Sequence, residues 1–78
     1  MSRVIRYFEK DGDKCVGEEK LPEIDLGVLQ ELFDLTSKNP MYDCFLVTEK
    51  QRTFLNQFIK VEINLNEYDY FIEFDSDS

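Results

Sequence analysis

The sequence contains no histidine and no tryptophan, and it has only two cysteines, Cys15 and Cys44. Without histidine, the catalytic triads that use it as a base and the commonest metal ligand are both ruled out. Two cysteines are too few for a disulfide framework or for a four-ligand zinc site. No apolar run approaches the roughly 20 residues that a membrane-spanning helix needs. We therefore expect a binding protein rather than an enzyme, with no metal and no cofactor.

The 78 residues are enough for one small domain, spanning 1–78, because 42% of them are hydrophobic and 14% aromatic. Nine basic residues stand against 17 acidic ones, which gives a net charge of -8. Such an acidic chain repels phosphate backbones and anionic membranes, so we expect neither as a partner. No apolar stretch of signal-peptide length follows Met1, and we therefore expect a cytoplasmic protein.

The acidic residues are unevenly distributed along the chain. Residues 1–60 contain all nine bases and 11 acids, whereas residues 61–78 contain six acids and no base. Aromatic residues such as Tyr70 and Phe71 interleave with these acids. The segment is therefore expected to be folded structure that carries charge, followed by a short solubilising tail at 75–78.

Period-two patterns and turn signals predict an antiparallel sheet. A hairpin is expected at the beginning, because Asp11-Gly12-Asp13 is a turn signal between two strand-like segments. The segments that read as strands are residues 3–10, 14–20, 41–47, 59–64 and 69–75.

Helical spacing of apolar residues predicts a helix over 25–36, with Asp25 as its N-cap. Thr48 and Gln51 are spaced as a capping box, so residues 49–57 are either a short second helix or a loop with one turn. The order of elements predicts an α+β fold with a helix packed on one face of an antiparallel sheet.

The alternation within the strands predicts two different sheet faces. Tyr70 and Ile72 share the face expected to pack on the core, which leaves Phe71 among carboxylates on the other. A single bulge would invert part of this assignment. The pattern places on the outward face Arg6, Phe8, Lys10, Cys15, Gly17, Glu19, Tyr42, Cys44, Leu46, Asp69, Phe71, Glu73 and Asp75.

Aromatic rings rimmed by carboxylates are what a protein-binding surface needs. The alternative is that this face is covered by a second layer, such as residues 49–58 or a dimer mate. Cys44 fits a small core residue equally well, and Glu18 and Glu19 fit a solvated pair on the hairpin.

Several short motifs resemble one known family in their order and spacing. Phe8-Glu9-Lys10 followed by Gly17-Glu18-Glu19, and then Cys44-Phe45 and Tyr70-Phe71, are similar to motifs of the cloacin-type immunity proteins. Those proteins protect bacteria that carry a ribonuclease bacteriocin. The resemblance implies a four-stranded antiparallel sheet with a helix on one side, and this is the fold class that we predict.

The resemblance also implies a function. It implies tight binding to a basic cytotoxic domain that blocks access to ribosomal RNA, with Cys44 at a position tied to partner discrimination. Cys15 departs from the family, which has an aromatic residue there. The predicted partner-binding residues are Phe8, Cys15, Glu18, Glu19, Tyr42, Asp43, Cys44, Asp69, Phe71 and Glu73.

Two other functions remain open from the sequence. The chain could be a structural or regulatory module that self-associates through the same face, forming a homodimer when free. It could also be an immunity protein against the toxin of a contact-dependent inhibition system rather than against a ribosomal ribonuclease.

Overall fold

The computed structural model describes residues 2–12, 14–39, 41, 43–60 and 62–75. For Ser2 and Asp75 it describes the backbone alone. Within these ranges the chain forms an α+β fold with a four-stranded antiparallel sheet and two helices, which confirms the predicted fold class and the second helix. The elements are β1 (Ser2–Glu9), β2 (Cys15–Lys20), α1 (Leu26–Leu32), β3 (Phe45–Leu46), α2 (Glu49–Leu55) and β4 (Tyr68–Asp75).

The sheet order is β2-β1-β4-β3, so the two longest strands form its centre. β1 and β4 pair along their whole length, from Ser2 opposite Asp75 to Glu9 opposite Tyr68. Both strands are rich in β-branched and aromatic residues, which suit a pleated and partly buried surface. β2 and β3 are therefore the two edges of the sheet.

Both helices pack on the same face of the sheet. Leu29 of α1 and Leu55 of α2 are completely buried in a cluster with Ile5, Tyr70 and Ile72. α1 begins where predicted, because the Asp25 carboxylate accepts a hydrogen bond from the Gly27 N–H at 2.7 Å. The opposite face of the sheet is not used by either helix.

The predicted capping box at the beginning of α2 is confirmed. The Thr48 N–H donates to the Gln51 side-chain oxygen at 2.7 Å. The other end of the Gln51 amide donates to the Leu32 carbonyl at 2.9 Å, so one buried side chain links the first turn of α2 to the last residue of α1. A second buried amide, Gln30, donates to the Asn39 carbonyl at 2.6 Å and secures the loop after α1.

Two elements are shorter than the sequence pattern predicts. α1 ends at Leu32 rather than at residue 36, because Asp34 adopts a positive φ of 57° that a helix cannot continue through. β3 contains two residues instead of residues 41–47, and Met41 also has a positive φ, of 58°. Tyr42 lies outside the described residues.

The strand predicted over 59–64 is wrong. Ile59, Lys60 and residues 62–64 form no strand, and Val61 lies outside the described residues. The N–H of the buried Ile63 donates to the Asn56 side chain at 3.0 Å, and the Asn64 N–H donates to the Tyr70 hydroxyl at 3.0 Å. Side chains therefore satisfy backbone groups that a strand would have paired in a ladder.

A β-bulge reverses the predicted faces in part of β2. The β1–β2 register shifts between Tyr7 and Phe8, so that Tyr7 lies opposite Gly17 and Ile5 lies opposite Glu19. The outward placement of Gly17 and Glu19 was therefore wrong, since both share the face that packs on the helices. Glu19 accepts a hydrogen bond there from the Lys60 N–H at 3.1 Å.

Gly17 is required by a close approach of the Tyr7 ring. A Cβ atom on Gly17 would lie 2.5 Å from the Tyr7 hydroxyl oxygen and 2.6 Å from its Cζ. Tyr7 also stacks on Tyr70, with 5.1 Å between the ring centroids. The ring cannot shift without losing a contact in the core.

We predict that Gly17→Ala lowers the free energy of unfolding by about 1–3 kcal/mol, because overpacking displaces the Tyr7 ring. Urea unfolding followed by tyrosine fluorescence measures the loss. Gly12→Ala is the matched control, because its nearest neighbour would be the flexible Glu9 carboxylate at 3.6 Å. Equal midpoints for the two variants would contradict this account of Gly17.

Candidate functional site

The outer face is our name for the side of the sheet opposite the helices. Its residues share a side because cross-strand partners in an antiparallel sheet point the same way. The register pairs Phe8 with Asp69 and Arg6 with Phe71 across the two central strands. By register and alternation the outer face contains Val4, Arg6, Phe8, Cys15, Glu18, Lys20, Cys44, Leu46, Asp69, Phe71 and Glu73.

The centre of the outer face is apolar. Phe8 and Phe71 meet edge to face, with 5.8 Å between their ring centroids, and both rings are half-buried. Leu46 lies opposite Phe71 in the ladder and is 50% exposed. Two aromatic rings and an aliphatic side chain therefore form a partly exposed apolar centre.

Ion pairs surround this centre. The Arg6 guanidinium bonds to Glu18 at 2.8 Å on β2 and to Glu73 on β4, which raises the pKa of Arg6 through hydrogen bonds to Glu18 and then to Glu73. Lys10 bonds to Asp69 at 2.9 Å. The carboxylates of the outer face are therefore held in fixed positions, and the face is locally close to charge balance.

Cys44 lies beside Glu73 at the β3 end of the outer face. Partial desolvation raises the pKa of its thiol, and the negative charge of Glu73 raises it further. Asp43, which is exposed, acts in the same direction. The thiol is therefore kept protonated to higher pH than an ordinary cysteine.

The two cysteines lie at opposite edges of the sheet. Cys15 is in β2 and Cys44 comes directly before β3, so β1 and β4 lie between them. Three strand spacings separate their positions by about 14 Å. A disulfide needs Cα atoms within about 7 Å, so the two cannot be joined within one chain.

Most of the predicted partner-binding residues are brought together. Glu19 is the exception, because the bulge turns it to the helix side, and Tyr42 lies outside the described residues. Asp43 adjoins Cys44 in the loop before β3. The predicted residues that share the outer face are Phe8, Cys15, Glu18, Cys44, Asp69, Phe71 and Glu73.

Sequence reasoning missed the roles of Arg6 and Lys10. Both were placed outward, but their pairing with carboxylates on neighbouring strands depends on the register. Once the register is known, Arg6 lies between two acidic positions, and opposite charges on neighbouring strands attract.

The described part of the chain contains no group of three or more Cys, Asp or Glu side chains that could hold a metal ion. Neither of its helices is long and apolar enough to cross a membrane.

A protein family described as a domain of unknown function, DUF7683, matches residues 2–73. The match includes every residue of the outer face. No curated protein matches the sequence at a significant level.

We predict that Glu73→Gln increases the rate at which iodoacetamide alkylates Cys44 near pH 8. The substitution removes a negative charge that disfavours the thiolate, so the pKa of the Cys44 thiol falls and more of the reactive form is present. Mass spectrometry of the modified peptides over a range of pH measures the rate.

Cys15 in the same sample monitors the reagent, and Asp69→Asn is the control substitution on the same face. An unchanged Cys44 rate in Glu73→Gln, or an equal increase in Asp69→Asn, would show that Glu73 does not govern the thiol.

Proposed function

The chain belongs to the DUF7683 family, and we propose that it is an immunity-type inhibitor that binds a basic bacterial ribonuclease toxin domain through the outer face. The observation that carries this proposal is the sheet face left open by both helices, with an apolar centre inside a rim of charge. Such surfaces are typical of protein-binding sites. The resemblance of the sequence motifs to cloacin-type immunity proteins supports the same function.

The apolar centre would supply the anchoring contacts. Phe8 and Phe71 hold each other edge to face, so little conformational freedom remains to be lost when a partner covers them. Leu46 extends the same surface toward β3 and is half exposed in the free chain. Buried aromatic anchors at the centre of an interface contribute most of the binding energy.

The carboxylates would orient a basic partner. Glu18 is 55% exposed and Asp69 is 42% exposed, although each already bonds to a base of its own chain. Lysine or arginine side chains of a partner can bind the remaining carboxylate oxygens without those oxygens having to be ordered first. Because the local charges nearly balance, long-range attraction comes mainly from the net charge of -8.

Inhibition would follow from occlusion. A ribonuclease domain must bind the phosphates of its RNA through basic side chains. An acidic protein that covers those side chains removes both the space and the positive charge that RNA needs. No group of this chain has to take part in any bond making or breaking.

A second function is favoured by the charge balance of the outer face. Three bases, Arg6, Lys10 and Lys20, stand near three acids, and a mixed surface of this kind could also pair with a second copy of itself. A self-associating module would then bury the same apolar centre.

An immunity protein against a contact-dependent inhibition toxin would use the outer face as proposed, with a different nuclease.

We predict that the reading frame upstream of its gene encodes a toxin, that this chain rescues growth when the two are co-expressed, and that the two proteins copurify. Leu46→Arg should abolish both effects, because it places a charge in the apolar centre and repels a basic partner. Val28→Arg is the matched control, since Val28 is a similarly exposed apolar residue, 41%, on α1.

Rescue that survives Leu46→Arg would place the binding surface elsewhere. Failure of the wild-type chain to rescue growth or to copurify would contradict the proposed function. Copurification with a toxin that cleaves RNA other than ribosomal RNA would support binding through the outer face and assign the toxin a different RNA substrate.

We also predict that the association rate with the toxin domain decreases steeply as ionic strength rises, because steering depends on the net charge of -8. Stopped-flow mixing at several salt concentrations measures it. The dissociation rate should change much less, since short-range contacts in the apolar centre govern it. An association rate independent of salt would contradict electrostatic steering.

A further inference from the structure

We propose that the free edge of β2 pairs with the same edge of a second copy, giving a two-fold symmetric dimer in which Glu18 of each chain lies opposite Lys20 of the other. This dimer uses the backbone edge of β2 and the side chains of Glu18 and Lys20 at the margin of the outer face, and it leaves the apolar centre uncovered. It therefore goes beyond the proposed function and does not depend on it.

On the side away from β1, the backbone of β2 forms no ladder with any other strand of the described residues. β2 is the first strand in the sheet order, so among the described strands β1 alone pairs with it. The Leu21 N–H donates to the Arg3 carbonyl at 2.9 Å, so the backbone groups of Leu21 point toward β1. Since backbone groups alternate along a strand, those of Glu19 and Gly17 also point to β1, whereas those of Glu18 and Lys20 point away from it.

The side chains at the same two positions are also available. Glu18 and Lys20 are both exposed. One carboxylate oxygen of Glu18 accepts from Arg6, and the other has no hydrogen bond to the described residues. Lys20 has no ion-pair partner in the described part of the chain. Each copy therefore offers an acceptor and a cation two residues apart on its free edge.

Charge selects one register for a symmetric pair. A two-fold axis through residue 18 or residue 20 would place Glu18 opposite Glu18 or Lys20 opposite Lys20, and like charges directly opposite are destabilising. An axis through residue 19 instead gives two Glu18–Lys20 pairs. It also brings the outward backbone groups of these residues together, so four N–H···O=C bonds can form.

In this register Glu19 of one chain would lie directly opposite Glu19 of the other, at the two-fold axis. Its carboxylate, however, is already bound to the Lys60 N–H over the helix side of the sheet. This register therefore contains two complementary pairs and one like-charge pair, and the carboxylates of the like-charge pair are each hydrogen-bonded within their own chain.

The pairing must be short. Pro22 follows β2 and has no N–H to donate, and the bulge near Val16 interrupts the other end. An interface of this size is expected to be weak, to form only at high protein concentration and to weaken as salt screens its ion pairs. It would join two sheets into one of eight strands and leave the apolar centre of each outer face open.

Sedimentation of charge variants tests the register. Lys20→Glu alone and Glu18→Lys alone should each abolish self-association, because each homodimer then places like charges opposite. An equimolar mixture of the two variants should associate again, since every pair in the heterodimer is complementary. Lys38→Glu, an exposed change in the loop after α1, should leave association unchanged. Circular dichroism confirms that each variant is folded.

Amide hydrogen exchange tests the hydrogen bonds directly. The N–H groups of Glu18 and Lys20 should gain protection as wild-type concentration rises, while those of Gly17 and Glu19 are protected by β1 at every concentration. A wild-type chain that remains monomeric up to millimolar concentration overturns the proposal. Association that survives both charge reversals but is lost in Leu46→Arg also overturns it and assigns self-association to the outer face.

Discussion

The whole arrangement depends on both helices packing against the same side of the sheet. α1 and α2 have seven residues each, too few to be stable alone, so their leucines must be buried to hold them. Leu29 and Leu55 are buried on the face formed by Ile5, Tyr70 and Ile72. Antiparallel sheets commonly leave the opposite face open, and here that face carries aromatic rings.

The parts of the fold that depend on local pattern could be predicted from the sequence. Alternation in the last strand separated Tyr70 and Ile72 from Phe71, and the spacing of Thr48 and Gln51 predicted the beginning of α2. Both signals act over a few residues. They can therefore be recognised in the sequence without knowing which strands are neighbours.

The parts that depend on distant contacts could not be predicted in this way. The bulge in β2 adds one residue and so reverses the faces of Gly17 and Glu19, although the residues themselves carry no clear sign of it. Residues 59–64 alternate as a strand does, but Asn56 and Tyr70 bind their backbone instead. The outer face was predicted more successfully because it depends mainly on β1 and β4, which pair without a shift.

The pairing of the strands changes what the distribution of charge along the sequence predicts for the outer face. The acids near the C-terminus predicted an acidic binding face, but antiparallel pairing brings Arg6 of β1, and Lys10 directly after β1, against them. The apolar centre consequently becomes the stronger argument for binding. Glu18 belongs both to the outer face and to the edge strand β2, and one of its oxygens bonds to Arg6 while the other has no hydrogen bond to the described residues. A partner that bound both oxygens would compete with edge pairing, whereas one centred on Phe71 and Leu46 would leave the edge free.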